Sequence, residues 1–457
     1  MEHSDSASTE ATTSAERLSP RTILSYAAGQ LGLNVTYTSI GMHLTFFYSD
    51  VIKVSPSLVA IALLVGNAWD AITDPVMGHI SDRVRWKRGR RRPFFGLGAT
   101  PMALTFLLIF SPDTLSARGW LAFYLTAVIV LLFTFRTIVE TPYIALAPEL
   151  SLDYNERTRI SAFRQLFATV GDIIGAMGPL IALQIFVSRT GAYSAFGIVA
   201  AFLTIVGFVA AYRGTTESGQ FSKKSSLSFT TAFKATLTNK PFLIIVATLM
   251  LTIIANNCTV ALVLFIAKYW FLSEALATNF MVAFFIGAFA SIPFWIRLAA
   301  TVGKKAAYII DITLYGILLC AIFILKQDAH LAATFIMGVA GFFNLGLWIL
   351  SGSIVADVVE WDQLRTGERR EGAFAGIQSF IIKAAQGVGL ALVNVALDII
   401  GYVPDVPQSA ATLRNLKILY GLVPGVIFWT GAAIFLFYPI TKKTHALMLA
   451  EIKAKAH

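Results

Sequence analysis

Long apolar stretches recur from one end of this chain to the other, and they restrict the possible fold more than any other feature. Twelve stretches are long and apolar, at about 22–49, 57–81, 94–111, 119–148, 161–187, 191–212, 241–270, 275–297, 306–326, 331–358, 372–402 and 414–440. A helix that crosses a lipid bilayer needs about 20 such residues. Because 56% of the 457 residues are hydrophobic and only 14% are charged, a water-soluble fold could not cover this apolar surface. We therefore predict an all-α membrane protein with twelve transmembrane helices.

The basic side chains are concentrated in alternate loops between these stretches. Most Lys and Arg residues lie in the C-terminal tail and in loops 82–93, 151–160, 213–240, 298–305 and 359–371, whereas the intervening loops hold about one each. Cytoplasmic loops retain Lys and Arg, so we predict a multi-pass protein of the plasma (inner) membrane with both termini cytoplasmic. The net charge of +10 then reflects orientation in the lipid bilayer and predicts no nucleic-acid partner.

A long polar connection divides the twelve stretches into two sets of six. The second stretch of each set is followed by a glycine and two basic residues, at 89–91 and 303–305. Two six-helix repeats around a midplane site are typical of major facilitator carriers, and we predict that fold. The predicted segments are a disordered cytoplasmic N-terminus, an N-terminal bundle, a cytoplasmic central loop, a C-terminal bundle and a cytoplasmic tail, at 1–20, 21–213, 214–240, 241–440 and 441–457, respectively.

Two aspartates lie inside the second apolar stretch, which reads WDAITDPVMGHISDR. Asp70 and Asp74 are four residues apart and therefore share one face of a helix. A carboxylate facing lipid is costly, so this face must line the bundle interior or a water-filled cavity. Such a pair can hold a proton or bind a monovalent cation through oxygen ligands, and Thr73 and Thr137 can supply neutral oxygens. These four residues are our candidate cation site.

Two other interpretations of these aspartates stay open. One is a permanent salt bridge inside the membrane, to Lys383 or Arg164. The other is an intramembrane prenyltransferase, in which a D-x-x-x-D helix holds magnesium for a diphosphate. That class needs a second Asp-rich motif, and the only counterpart here is ADVVEWD at the predicted cytoplasmic border. The chain also contains no H-E-x-x-H or G-x-S-x-G motif and no Cys/His cluster, so we predict that it is not an enzyme and has no cofactor or tightly bound metal.

The segments WDAITDPVMGHISDR…GRRRP, ETPYIALAPELSLDYNERTRISAFRQLFA, LWILSGSIVADVVEWDQ and GIQSFIIKAAQG carry a specific resemblance. In spacing and order they resemble the glycoside–pentoside–hexuronide:cation symporter family, whose best-known member is melibiose permease. The resemblance covers nearly the whole chain. It implies a symporter that imports a glycoside or small oligosaccharide by alternating access, with Na⁺ or H⁺ as the coupling ion. We also expect a monomer.

The resemblance also implies roles for individual residues. Glu140 stands where the family has an acid that takes part in both the cation and the sugar sites. Lys383 corresponds to a lysine among these acids, where it can stabilise them when the cation leaves. The remaining substrate residues implied by the resemblance are Asn34, Arg164, Trp348 and Gln378.

Four positions depart from melibiose permease and limit the substrate assignment. Asn34 replaces a sugar-binding Asp, Ile144 replaces a Trp, and Asp172 is an additional acid. Arg136 replaces an aromatic residue and either neutralises Glu140 or contacts an anionic or polar substrate group. Galactoside specificity therefore does not carry over. A uronide or other anionic solute, and a lysolipid such as animal relatives carry, remain alternatives.

The basic loop after the second stretch reads GHISDRVRWKRGRRRP. We expect Asp82 to pair with basic residues at the cytoplasmic helix ends, with Arg90 and Arg91 in the same loop, and so to latch the outward-open state. The alternative is that this loop acts only through its charge, by retaining the topology.

Overall fold

The computed structural model describes residues 18–84, 86, 89–112, 120–151, 154–217, 238–366 and 371–456, and its regular elements are helices. The first half of the chain contains six of them: α1 (Pro20–Ser39, continued by π-helical turns at Ile40–Leu44 and Phe47–Val51), α2 (Pro56–Arg83), α3 (Arg92–Ile109), α4 (Leu121–Leu150), α5 (Tyr154–Ile185) and α6 (Arg189–Gly214). The predicted disordered N-terminus and central loop lie largely outside the described residues.

The second half contains six further helices and a helical tail: α7 (Lys240–Phe265, continued by a π-helical turn at Ile266–Trp270), α8 (Leu276–Val302), α9 (Lys304–Cys320, continued by a 3₁₀ turn at Ala321–Phe323), α10 (His330–Thr366), α11 (Glu371–Ile399), α12 (Ala410–Lys417, Ile418–Leu422 and Val423–Phe435) and α13 (Lys442–Ala456). Within the described residues, α2 to α12 are long and apolar enough to cross a membrane. With α1, the less apolar first helix, they make the twelve helices predicted from the sequence.

Prolines and capping residues mark where several helices begin. Pro20, Pro56 and Pro241 each lie in the first turn of their helix, where proline costs no backbone hydrogen bond and already has the helical φ. The Ser19 side chain accepts a hydrogen bond from the Thr22 backbone N–H at 3.1 Å, which caps α1. These local signals set the first residue of a helix more sharply than hydropathy does.

Small residues let α1 and α5 approach closely. Gly171 and Gly175 are four apart on α5, and a Cβ atom at either position would lie 2.6–2.7 Å from a backbone oxygen of α1. Such G-x-x-x-G contacts bring membrane helices together because lipid provides little hydrophobic drive for association. Asp172 is the neighbour of Gly171, so this close approach also sets the position of its carboxylate beside α1.

The two halves meet along α2 against α11 and α5 against α8. We call the end of the bundle that carries both chain termini the termini face, and the opposite end the far face. At the far face, the buried Asp50 at the end of α1 accepts hydrogen bonds from Lys268 (2.5 Å), Tyr402 (2.6 Å) and Tyr269 of the second half. Lys268 also donates to Asp405 at 2.9 Å. A buried ion network thus joins the halves there.

Further polar contacts cross between the halves at the far face. Arg189 at the start of α6 pairs with Glu274 before α8, with 2.6 Å between nitrogen and oxygen. The Asp398 carboxylate of α11 accepts hydrogen bonds from the Ser55 hydroxyl (2.9 Å) and the Ser57 backbone N–H (2.7 Å). It therefore satisfies one free backbone N–H group at the beginning of α2. The far face is closed by these contacts.

At the termini face, the ion pairs described stay within one half. Arg90 pairs with Glu149 at 2.6 Å in the first half, and Lys304 pairs with Asp357 at 2.5 Å in the second. The tail helix α13 packs on α10 of its own half. The described ion pairs that join the halves therefore lie at the far face and midway along the bundle, which leaves the bundle open toward the termini face.

Candidate cation and substrate site

Three carboxylates and one ammonium group meet midway along the bundle. Asp70 and Asp74 come from α2, Glu140 from α4 and Lys383 from α11. Lys383 Nζ lies 2.5 Å from Asp74, 3.2 Å from Asp70 and 3.6 Å from Glu140, measured to the nearest carboxylate oxygen. The shared helix face predicted for the two aspartates therefore points into the bundle interior. We call these four residues the acid cluster.

Hydroxyl groups complete the cluster on its α4 side. Thr137 donates from its hydroxyl to Asp70 at 2.7 Å and lies 3.1 Å from Asp74. The Thr141 hydroxyl reaches Asp74 at 3.3 Å, and the Thr73 hydroxyl lies 3.5 Å from that of Thr137. Carboxylate and hydroxyl oxygens are the hard donors suited to a monovalent cation, so these residues have the right chemistry for the predicted cation site.

Arg136 is paired in this conformation. It lies on the same face of α4 as Glu140, four residues earlier, and its guanidinium makes two contacts with that carboxylate at 2.9 and 3.3 Å. The guanidinium carbon also lies 5.3 Å from the centroid of the Tyr37 ring on α1, in cation–π contact. The geometry therefore matches the first of the two roles weighed for Arg136, neutralisation of Glu140.

The ammonium of Lys383 lies among the carboxylates of the candidate cation site. Its three donors face three carboxylates, so it balances the charge that a bound cation would otherwise balance. The salt bridge considered as an alternative from the sequence is thus present for Lys383. It is not formed by Arg164, whose side chain lies beside the Tyr26 hydroxyl.

A small cavity of about 40 Å³ opens beside the acid cluster between the two halves. Tyr37, Asn67 and Gln386 line it together with Arg136 and Lys383. The sequence analysis missed these three neutral residues. Asn67 lies three residues before Asp70 and Gln386 three residues after Lys383, so helical spacing from the charged residues was the signal that could have found them.

Gln378 and Trp348 are not among the residues that line this cavity. Gln378 is five residues before Lys383, so it lies about 140° away around α11. Trp348 is 39% exposed on α10. The sugar contacts that the resemblance implies for these two residues stay predictions.

A second polar group lies between α1 and α5. Asp172 accepts hydrogen bonds on one oxygen from Thr38 (2.6 Å) and Asn34 (3.0 Å), and Gln30 donates to Asn34 at 2.7 Å. Asp172 therefore pairs with neutral donors rather than with Arg164. Its second oxygen accepts no hydrogen bond from a described residue and stays available to a ligand.

The predicted latch residues form an ion-pair group inside the first half. Arg91 reaches Asp82 at 3.0 Å and Glu149 at 2.8 Å, and Arg90 reaches Glu149 at 2.6 Å. Asp82 thus pairs with a basic residue of its own loop, although its side chain is 60% exposed. Its role in latching the outward-open state stays a prediction.

Removal of the Thr137 hydroxyl, which contacts the acid cluster, tests the part that this hydroxyl plays in cation binding. We expect Thr137→Val to weaken cation affinity about tenfold, because Asp70 loses the donor that positions its carboxylate and the candidate site loses one oxygen ligand. Binding is measured by titrating Na⁺ or H⁺ against tryptophan fluorescence or protein stability. Thr126→Val is the matched control, since the Thr126 hydroxyl on the same helix bonds only the Ala122 carbonyl. Equal cation affinities for the two variants would contradict the assignment.

The chain is similar to known transport proteins. The family described as MFS/sugar transport protein matches residues 25–442. A putative glycoside/cation symporter of Escherichia coli is 27% identical, with 93% of this chain and 92% of the relative covered. The isoprimeverose transporter of Lactiplantibacillus pentosus is 27% identical, with 94% and 91% covered. A sodium-dependent lysophosphatidylcholine symporter of Danio rerio is 26% identical, with 92% and 85% covered.

Solved structures show the same fold. The nucleoside transporter NupG superimposes with a TM-score of 0.64 at 14% identity, covering 91% of this chain and 98% of that one. The predicted fold class and the resemblance to glycoside–pentoside–hexuronide:cation symporters are both confirmed, and transporters rather than enzymes make up the matching family. The chain belongs to the MFS/sugar transport protein family, as a multi-pass membrane symporter with the major facilitator fold.

Proposed function

We propose that this symporter imports a glycoside or small oligosaccharide that carries no net charge, together with one monovalent cation. The observation that carries the proposal is the pairing of Arg136 with Glu140 at 2.9 Å. Because that guanidinium is already neutralised, it is not available to balance an anionic substrate.

The charge balance of the candidate residues supports a neutral substrate. The ion pairs of the acid cluster join the acids Asp70, Asp74 and Glu140 to the bases Arg136 and Lys383. With all five ionised, one negative charge remains, and a single bound Na⁺ or H⁺ would cancel it. An anionic solute would restore a net charge inside the membrane, which is costly. A uronide is therefore disfavoured.

Coupling in this proposal works through Lys383. The Lys383 ammonium lies 2.5–3.6 Å from the three carboxylates of the acid cluster. A cation that enters the cluster binds these carboxylates in its place and so releases Lys383. The released ammonium can then donate hydrogen bonds to substrate hydroxyls in the adjoining cavity. Cation binding thus raises substrate affinity, and by linkage substrate raises cation affinity to the same extent. Rocking of the two halves then alternates access to the site.

A lysophospholipid is the second candidate substrate. It is supported by the similarity to the lysophosphatidylcholine symporter of Danio rerio. A zwitterionic headgroup also has no net charge, so the charge balance above fits this substrate class as well.

A ligand panel on the purified protein tests the substrate class. Neutral glycosides, uronides and lysophospholipids are each added with and without Na⁺, at two pH values, and thermal stability is recorded. A ligand at 100 times its Kd stabilises the folded state by about 2.7 kcal/mol, a readily measured shift. We expect neutral glycosides to stabilise the protein, and to do so more strongly when the coupling cation is present.

Other outcomes of the panel decide against the proposal. Stabilisation by lysophospholipids alone would assign the second candidate. Stabilisation by uronides alone, lost in Arg136→Ala, would show that Arg136 binds an anionic substrate. A shift that depends on Na⁺ at constant pH identifies sodium coupling, whereas dependence on pH alone identifies proton coupling.

A further inference from the structure

A second cavity lies at the far face, away from the acid cluster and entirely within the second half. It is a surface depression of about 560 Å³ that is open on its outer side and lies between the ends of α7 and α9 and the beginning of α12. Trp270, Phe323, Ile324, Asp328 and Lys417 are among its lining residues. None of these residues takes part in the site described above.

Lys417 is the chemically unusual residue of this cavity. The residue is only 7% exposed. None of the described carboxylates lies within ion-pair distance of its ammonium group. The nearest acceptors are the carbonyl oxygens of Phe323 and Leu325, both at 3.5 Å, the outer limit of a hydrogen bond. The ammonium also lies 3.7 Å from the centroid of the Trp270 ring. A buried cation with such weak partners lacks a counter-charge.

A second unpartnered donor lies beside it. The indole N–H of Trp270 is buried and makes no hydrogen bond within the described residues. Buried donors are nearly always paired, because an unpaired one costs about 1–3 kcal/mol. A group with several anionic oxygens, placed at the edge of the indole beside the ammonium, would offer an acceptor to each of the two donors.

The position of the cavity indicates where that oxyanion comes from. Candidate membrane spans end at Trp270 and Phe323 and begin at Ala410, so the cavity lies at the level where the hydrocarbon gives way to lipid headgroups. Ile324 is 84% exposed and Phe323 42% exposed, which leaves apolar surface beside the cationic centre. A Lys and Trp pair at this depth is suited to a ligand with an anionic head and an apolar body.

We propose that this cavity binds the phosphate headgroup of a phospholipid from the far-face leaflet, with Lys417 as the principal contact and Trp270 as the second donor. Lys326 and Lys417 against Asp328 leave one net positive charge on the lining, so an anionic phospholipid binds more tightly than a zwitterionic one. The acyl chains lie against Phe323 and Ile324. The site is separate from transport and does not depend on the identity of the transported substrate.

Native mass spectrometry of the full chain, titrated with phosphatidylglycerol or phosphatidylcholine, tests this proposal. We expect one phosphatidylglycerol molecule to bind, Lys417→Gln to weaken that binding at least about tenfold, and Lys417→Arg to retain it. Arg414→Gln is the matched control, because it removes one positive charge from an exposed position three residues earlier on the same helix. Trp270→Phe, which keeps an aromatic ring but loses the indole N–H, should weaken binding less than Lys417→Gln and decides the matter if the Lys417 variant does not fold.

Two results would overturn the proposal. Equal binding of phosphatidylglycerol to wild type, Lys417→Gln and Trp270→Phe would show that the cavity is not the lipid site. In a parallel arm, inorganic phosphate is added in place of lipid. Phosphate binding that depends on Lys417, together with no lipid binding there, would assign a soluble anion site instead.

Discussion

Asp74→Asn should abolish accumulation of substrate against its gradient, leaving equal concentrations on both sides of the membrane. Asp74 makes the closest contact with Lys383, at 2.5 Å, and an amide of the same shape cannot supply the charge that attracts a coupling cation. Asp70→Asn should act in the same direction. Substrate exchange, which needs no net cation movement, should survive in part. Uptake and counterflow in proteoliposomes measure the two activities separately.

The control for this prediction is Asp172→Asn. It removes a carboxylate that is bound to Thr38 and Asn34 rather than to Lys383, so it should lower substrate affinity while gradient-driven accumulation persists. Undiminished uphill transport in both Asp70→Asn and Asp74→Asn would rule out the acid cluster as the coupling site.

A double variant separates coupling from a permanent salt bridge. If Asp74 and Lys383 serve only to neutralise each other, Asp74→Asn combined with Lys383→Gln removes both charges and should restore accumulation. If Asp74 binds the coupling cation, the double variant should remain inactive in uphill transport. We expect the second result, since no other residue would replace the lost cation ligand.

Asp50→Asn should open the far face. The Asp50 carboxylate is fully buried and holds Lys268, Tyr269 and Tyr402 of the second half. Truncating one partner of a buried charge pair costs about 2–5 kcal/mol, more than the 1.4 kcal/mol that shifts a conformational equilibrium tenfold. The variant should therefore populate the far-face-open state at least about tenfold more, and its transport rate should fall.

Cysteine labelling from the far face measures this shift. Gly41 lines the cavity beside the acid cluster, and a Cβ atom there meets no other atom within 4 Å. Gly41→Cys, in a chain whose Cys258 and Cys320 are replaced by Ser, should react slowly with a membrane-impermeant maleimide when Asp50 is present. It should react faster in the Asp50→Asn background. Unchanged labelling would show that Asp50 does not hold the far face closed.

Lys53→Gln is the control for the Asp50→Asn variant. Lys53 pairs with Asp405 across the halves at 3.2 Å, but both side chains are about half exposed, and such pairs contribute little. Hydrogen bonds from Lys268 and Lys53 lower the pKa of Asp405 to about 2. A lowered pKa means that its contribution is lost only as the pH falls toward that value. Asp405 therefore stays ionised between about pH 8 and pH 5, and its titration should not change the rate at which Gly41→Cys is labelled in this range.

The sequence alone determined the helical architecture and the helix face that carries the candidate coupling site. Apolar stretches long enough to span a bilayer identify membrane helices because unpaired backbone groups cannot remain in lipid. The spacing of Asp70 and Asp74, and of Arg136 and Glu140, determines which side chains share a helix face. The predicted helix ends were less accurate, and α10 continues to Thr366, beyond the predicted residue 358. The reason is that hydropathy reports where the hydrocarbon of the bilayer ends rather than where the helix ends.

Only the tertiary structure decided which helix faces meet. Lys383 reaches Asp74 across 309 residues of chain, and Asp172 pairs with Asn34 and Thr38 rather than with Arg164. The Asp50–Lys268 contact joins two ends of helices that lie in different halves. Periodicity fixes the direction of a side chain about its own helix axis. The rotation and depth of one helix against another depend on small-residue contacts and side-chain packing between segments distant in sequence, and a single sequence does not reveal these.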